Sequence, residues 1–198
     1  MTHGFHVFGV CVIAVGVLLN HPARGSGQEF FESQGVQIRY VDEGAGEPVV
    51  LVHGYTGSLE RWSRAGVAEA LLEDHRVIRM DARGHGESGK PHDPKEYGAE
   101  MAMDVIRLLD HLGLQRAHLV GYSMGARLTG YLVVHQSERL ITATLGGSPP
   151  RQKWDVSEEA RGAQFIASVE QRARDADPND GQDYAALAAI PLSWWSKC

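Results

Sequence analysis

An α/β fold with a mainly parallel sheet covered by helices on both sides is what the sequence predicts, and three observations predict it. Short β-branched runs alternate with helical patterns, at spacings that leave room for crossover helices between parallel strands. The strand candidates Val49–Val52, Ala117–Tyr122 and Leu140–Leu145 are apolar enough to be buried on both faces. Of the 198 residues, 43% are apolar, 22% charged and 23 are glycine. That balance excludes a disordered acidic tail, a fibrous repeat and a polytopic membrane protein.

The elements follow in order. Phe30–Glu32 and Val36–Val41 form a hairpin pair, with turn chemistry at Ser33–Gly35 and again at Asp42–Gly46. His53-Gly54-Tyr55-Thr56-Gly57 ends the Val49–Val52 strand, a helical stretch runs from Ser58 to about Asp74, and Arg76–Asp81 is the next strand. Tyr97–Leu112 places Met101, Val105, Leu108, Leu109 and Leu112 on one helix face, and Gly113 stops it. Ala117–Tyr122 is a strand, Met124–His135 a helix and Leu140–Leu145 a strand. After Gly146 the alternation ends: Ser148-Pro149-Pro150 breaks it, and Glu158–Arg174 and Asp183–Ala189 read as helices. The expected organisation is a signal peptide over 1–27, a core over 28–150 and a partial helical cap over 151–198.

Val7–Leu19 is apolar and uncharged, too short for the roughly 20 residues that span a bilayer and suited to a signal-peptide core. Ala23 and Gly25 are small residues at signal-peptidase spacing, so cleavage before Ser26 or Gln28 is expected, although Met1–His6 has no Lys or Arg. Export, to periplasm or outside, is the expected destination, with the cytoplasm as the alternative, and no stable membrane span remains once the segment is removed. Cys11 and Cys198 give neither a disulfide framework nor paired metal ligands. A net charge of −6 offers no basic footprint for nucleic acid.

Chemistry is concentrated in Gly121-Tyr122-Ser123-Met124-Gly125, a G-x-S-x-G between a buried strand and a helix. A serine on so sharp a turn can pack only if the residues two before and two after are small, which Gly121 and Gly125 are. The turn lifts the Ser123 hydroxyl over the sheet edge at a helix N-terminus, a place for a nucleophile. Stabilising an oxyanion needs backbone donors: the Met124 N–H, and the Tyr55 N–H from the loop in which Gly54 gives flexibility. Gly84-His85-Gly86-Glu87-Ser88-Gly89 also matches G-x-G-x-x-G, but Pro91 and Pro94 delay the following helix to about Tyr97, so a tight loop beside the site is expected and not a dinucleotide loop.

With these residues on the page, the sequence resembles the α/β-hydrolase family, within its serine esterases, perhydrolases and carbon–carbon bond hydrolases. The carrying segments are Val50-Leu51-Val52-His53-Gly54, Asp81-Ala82-Arg83-Gly84-His85-Gly86-Glu87-Ser88 and Leu119-Val120-Gly121-Tyr122-Ser123-Met124-Gly125. The resemblance implies the family's fold, a hydrolytic role for Ser123, oxyanion roles for Tyr55 and Met124, a small-molecule ester or acyl substrate, and no metal or organic cofactor. It makes Asp81 a structural aspartate. Serine at the elbow disfavours relatives that work through an aspartyl ester.

A serine needs a base and the base an orienting acid, and in this fold their order is Ser, acid, His. The only histidine after Ser123 is His135, 12 residues along the same helix and so about 18 Å away. His53 reads as a loop-fixing residue. His85 follows a strand two spacings, about 10 Å, from the elbow strand. His75, His92, His111 and His118 read as loop or helix-end residues, and Asp155 as a remote candidate acid against a solvated carboxylate. Relatives place the acid and histidine after further strands, so truncation within the cap and weak or absent turnover are expected. The alternative is a non-catalytic small-molecule binder on a hydrolase scaffold. Trp62, Trp154, Trp194 and Trp195 read more readily as core than as pocket lining.

Overall fold

The computed structural model describes residues 27–147. Val7–Leu19, Asp155, Trp154, Trp194, Trp195 and the two helices expected after Gly146 lie outside the described residues. Six strands form one sheet: β1 Gln28–Ser33, β2 Val36–Gly44, β3 Glu47–Val52, β4 His75–Met80, β5 Ala117–Tyr122 and β6 Leu140–Gly146. Their spatial order is β1-β2-β4-β3-β5-β6. The β1-β2 hairpin and the β2-β4 pair are antiparallel, while β3 lies parallel between β4 and β5, and β5 pairs parallel with β6. Helices α1 Glu60–Arg64, α2 Val67–Leu71, α3 Ala99–His111 and α4 Met124–His135 connect them.

The pleat sends alternate residues of β3 to opposite sides. Val50 and Val52 join Ile78, Met80, Leu108, Leu119 and Leu128 in the larger core beneath α3 and α4. Val49 and Leu51 join Ala68 and Val77 in a smaller core, against which Trp62 packs. Trp62 is partly buried and covers that core, which agrees with the reading of it as core and not pocket lining.

Strand β6, expected to be buried on both faces, buries only Leu140, because it is the edge of the described sheet; three further elements differ from the sequence reading, each for a local reason. The polar run expected as a turn from Asp42 to Gly46 is strand through Gly44, because Asp42 accepts from Arg76 Nε and Nη2 at 2.8 and 2.7 Å and Glu43 pairs with Arg79 across the β2-β4 ladder. The turn shrinks to its end, where a Cβ on Gly44 would sit 2.7 Å from His75 O and one on Gly46 2.7 Å from Asp74 O. The single helix expected over Ser58–Asp74 is two, broken at Gly66, whose φ of +71° a helix cannot accommodate. The helix expected from Tyr97 starts at Ala99, after Gly98 at φ +73°.

Helix α3 carries one residue the apolar pattern hid. Asp104 is buried among Met101, Val105 and Leu108, where it accepts from Arg83 Nε and Nη2 at 2.7 and 2.6 Å and from Ser33 Oγ at 2.5 Å. Arg83 is itself fully buried, so the bidentate pair ties the loop after β4 to α3 and the hairpin. Among the described residues no helix is long and apolar enough to cross a membrane.

Candidate active site

Parallel strands β3, β4 and β5 all end on the same side of the sheet, and the loops that leave those ends assemble the site. At the end of β5, Ser123 has φ +52° and ψ −105°. That backbone conformation is costly for a residue with a Cβ and persists only where its surroundings enforce it. They do. The Ser123 N–H donates to Gly146 O at 2.8 Å, and the Gly125 N–H donates to His53 O at 3.1 Å, so the turn is pinned to β6 on one side and to the end of β3 on the other. A Cβ on Gly121 would lie 2.2 Å from Gly125 O, and one on Gly125 would lie 2.1 Å from Val52 O. Both glycines are thus required by contact.

Met124 opens α4, so its N–H belongs to the first turn and has no acceptor within the helix. Gly54 comes close to the elbow from β3: a Cβ there would meet Tyr122 Cδ1 at 3.2 Å and Ser123 Cβ at 3.3 Å. Tyr55 follows, half-buried in the turn closed by Gly57 N–H to Gly54 O at 3.0 Å, and burial pushes its phenol well above the usual range. Ser123, Met124, Gly121, Gly125 and Gly54 therefore occupy one end of the sheet, and Tyr55 is the next residue along that loop.

His53 is fully buried, and both its ring nitrogens are engaged. Nε2 accepts from the Ala82 N–H at 3.1 Å, which leaves Nδ1 protonated to donate to Gly54 O at 2.7 Å. Burial holds its basicity down, with opposing help from the Gly54 carbonyl and Asp81. Its Nε2 is 4.0 Å from Asp81 Oδ1, but that oxygen already accepts from the Leu59 N–H at 2.7 Å. The other Asp81 oxygen accepts from the Glu87 N–H at 2.9 Å and Arg39 Nη1 at 3.2 Å. Asp81 is a buried clamp on two loops and strand β2.

His85 lies in the same layer, its ring centroid 5.3 Å from that of His53 and 5.5 Å from that of Tyr55. Its Nδ1 is 3.1 Å from Arg83 O, and its buried Nε2 has no hydrogen-bond partner. Burial first and His53 second push the pKa down to about 3. The glycine loop that carries it closes on itself through Gly84 N–H to Gly89 O at 2.9 Å, and a Cβ on Gly86 would lie 2.1 Å from Asp81 Oδ2. A 3-10 turn at Pro94–Glu96 follows it, and not a helix opening on the glycines.

His135, His111, His75 and His118 are elsewhere. His135 stacks on Tyr131 at 4.3 Å near the far end of α4, and His111 packs between Phe31 and Tyr40. His75 and His118 stand at the starts of β4 and β5, opposite the elbow. Among the described residues no group of three or more His, Cys, Asp or Glu could hold a metal ion. The sequence reading missed Arg61, whose guanidinium carbon lies 5.9 Å from the centroid of the Tyr122 ring beside the elbow. No pattern in the sequence marks it.

A family model described as the alpha/beta hydrolase fold matches residues 47–193. The chain belongs to the α/β-hydrolase family. It is 36% identical over 124 residues to a candidate 2-succinyl-6-hydroxy-2,4-cyclohexadiene-1-carboxylate synthase of Bacillus subtilis (strain 168), covering 61% of this chain and 44% of that protein. It is 38% identical over 93 residues to the esterase YbfF of Escherichia coli (strain K12), covering 47% and 35%. Haloperoxidases and epoxide hydrolases are among its further relatives. In structure it is similar to a hydrolase from Pseudomonas aeruginosa PA01, with a TM-score of 0.68 and 25% identity, over 84% of this chain and 71% of that one. The α/β-hydrolase chain thus spans less than half the length of these curated relatives.

Proposed function

We propose that this α/β-hydrolase chain acts on a carboxylic ester or similar acyl compound through Ser123. Its hydroxyl oxygen attacks the carbonyl carbon, the hydroxyl proton passes to a base, and the carbonyl oxygen becomes an oxyanion facing the N–H groups of Met124 and Tyr55. Collapse of the tetrahedral adduct breaks the bond to the alkoxy oxygen, which takes the proton back from that base and leaves as the alcohol, and an acyl-serine remains. The observation that carries this reading is the φ of +52° at Ser123, held between glycines that tolerate no Cβ. A serine with no chemical duty gains nothing from that strain.

The described residues favour acyl capture over fast turnover. His53 has no free nitrogen, and His85 keeps Nε2 free but rests its other nitrogen on a carbonyl, not a carboxylate. Neither is a base oriented by an acid. A hole and a nucleophile without the full triad retain about 1,000- to 10,000-fold catalysis over water.

The test is covalent labelling. A fluorophosphonate and p-nitrophenyl acetate are each incubated with the wild type and with Ser123→Ala, and adducts are read by intact-mass spectrometry. One adduct per wild-type chain and none on the variant is expected; equal labelling of both overturns the assignment. The Val7–Leu19 run belongs to the same reading as an export signal. A mature chain beginning at Ser26 or Gln28 outside the cytoplasm is its expected product.

A further inference from the structure

Most described arginines near the site are held by carboxylates. Arg39 lies against Glu60 at 2.7 Å and Asp81 at 3.2 Å, and Arg83 is locked onto Asp104. Arg61 is different. It is exposed, and among the described residues no carboxylate pairs with its guanidinium. Its adjacent acid, Glu60, is committed to Arg39. What Arg61 does face is the Tyr122 ring at 5.9 Å. A ring face offers a cation some attraction but no lone pairs for its five N–H donors, so among the described residues the fork remains open to an anion.

Position gives this open fork a meaning. Tyr122 immediately precedes Ser123, is 45% exposed, and lies against Gly54 beside the elbow. Arg61 is thus carried by α1 to the rim of the nucleophile's end of the sheet. Its charge also contributes to lowering the basicity of buried His53, which places it within electrostatic reach of that loop. A chain of net charge −6 repels anions as a whole, so an exposed guanidinium at this rim selects where one can dock. Tyr122 provides an apolar face for the carbon chain that joins the two ends of such a ligand.

We infer that Arg61 determines specificity at this site: the substrate is an ester or acyl compound that also bears a free carboxylate, which the guanidinium holds while Ser123 meets the carbonyl. The inference rests on the proposed role of Ser123 and narrows its substrate class.

Two measurements test it, and one needs no turnover. In the first, kcat/KM is compared for the mono-p-nitrophenyl ester of glutarate and for neutral p-nitrophenyl butyrate, in the wild type, Arg61→Gln and Arg61→Lys. The ratio of anionic to neutral ester is expected to fall about tenfold in Arg61→Gln, as for loss of one charge-assisted hydrogen bond, and to be partly kept by Arg61→Lys. Added salt should shrink the wild-type ratio. In the second, calorimetry follows monomethyl glutarate and dimethyl glutarate binding to the Ser123→Ala chain with and without Arg61→Gln. Preference for the monoacid that disappears with Arg61→Gln is the expected result. A ratio unchanged in Arg61→Gln, anionic and neutral esters weakened equally, or no preference for the monoacid each overturns the inference. Arg61-dependent binding with Ser123-independent turnover sinks the nucleophile reading alone; Ser123-dependent turnover indifferent to Arg61 sinks the carboxylate reading alone.

Discussion

The two ends of the sheet carry similar side chains and treat them in opposite ways. Where β3, β4 and β5 end, His53, His85 and Asp81 are all fully buried and close-packed. Where the same strands begin, His118 has Glu47 3.1 Å from Nε2 and Thr142 Oγ1 2.7 Å from Nδ1, with His75 at 6.2 Å between ring centroids. There Glu47 keeps 58% of its side chain exposed. Two histidines and a carboxylate form a solvated patch at one end and a rigid scaffold under a strained serine at the other. The difference lies in the backbone. At the elbow end, glycines let three loops approach within van der Waals contact, so most polar atoms there have fixed partners, His85 Nε2 being the exception. At the opposite end the Glu47 carboxylate reaches solvent.

The contrast is most exposed to disproof at Gly125. Gly125→Ala places a Cβ 2.1 Å from Val52 O, a clash with backbone that no rotamer relieves. Unfolding in urea should show a loss of about 3 kcal/mol, or no soluble protein at all. Gly130→Ala in the same helix is the control: its Cβ meets only Leu145 Cδ2 at 3.6 Å, and helix propensity should raise stability by up to about 1 kcal/mol. Similar losses in both variants would mean that the elbow is no tighter than the rest of α4.

Asp81→Ala comes next. It strands the Leu59 and Glu87 amides and removes one of the carboxylates that hold Arg39, at a cost of about 3 kcal/mol in chemical denaturation. A cost under about 1 kcal/mol would show that water enters this end after all.

Acid then separates the ends by linkage. His53 and His85 have folded-state pKa values depressed by burial, that of His85 to about 3, below the unfolded value near 6.5. The unfolded chain therefore binds more protons as pH falls below 6.5. Stability drops with falling pH down to the folded pKa, by up to about 1.4 kcal/mol per pH unit for each histidine. Melting temperature followed from pH 7 to pH 5 should fall, and His85→Gln should flatten the slope by about one proton. A slope unaltered in that variant would mean that His85 is protonated in the native state. The smallest effect belongs to the open end: Glu47→Gln removes a solvated partner of His118 and should change stability by under about 0.5 kcal/mol.

The legible parts of the site were those written in local chain geometry. Gly121, Ser123 and Gly125 announce a strand-to-helix turn within five residues, and the proline-rich stretch after Gly89 rules out a dinucleotide loop just as locally. The break at Gly66 and the continuation of β2 through Asp42 and Glu43 were not legible, because one glycine in a helical pattern has several meanings and the Arg76 and Arg79 partners are 34 and 36 residues away. Asp104 was visible as a polar residue on an apolar helix face, but only its contact with Arg83 gives it a purpose.

The order of apolar runs and the spacing of glycines by themselves determined the α/β class, the position of the elbow and the identity of its serine, since each depends on residues adjacent in the chain. Tertiary structure alone decided that β3 lies between β4 and β5, that both nitrogens of His53 are engaged, that His85 keeps an unpartnered one, and that Arg61 faces Tyr122. Each of those facts is a meeting between segments distant in sequence, and packing, not local propensity, chooses such partners.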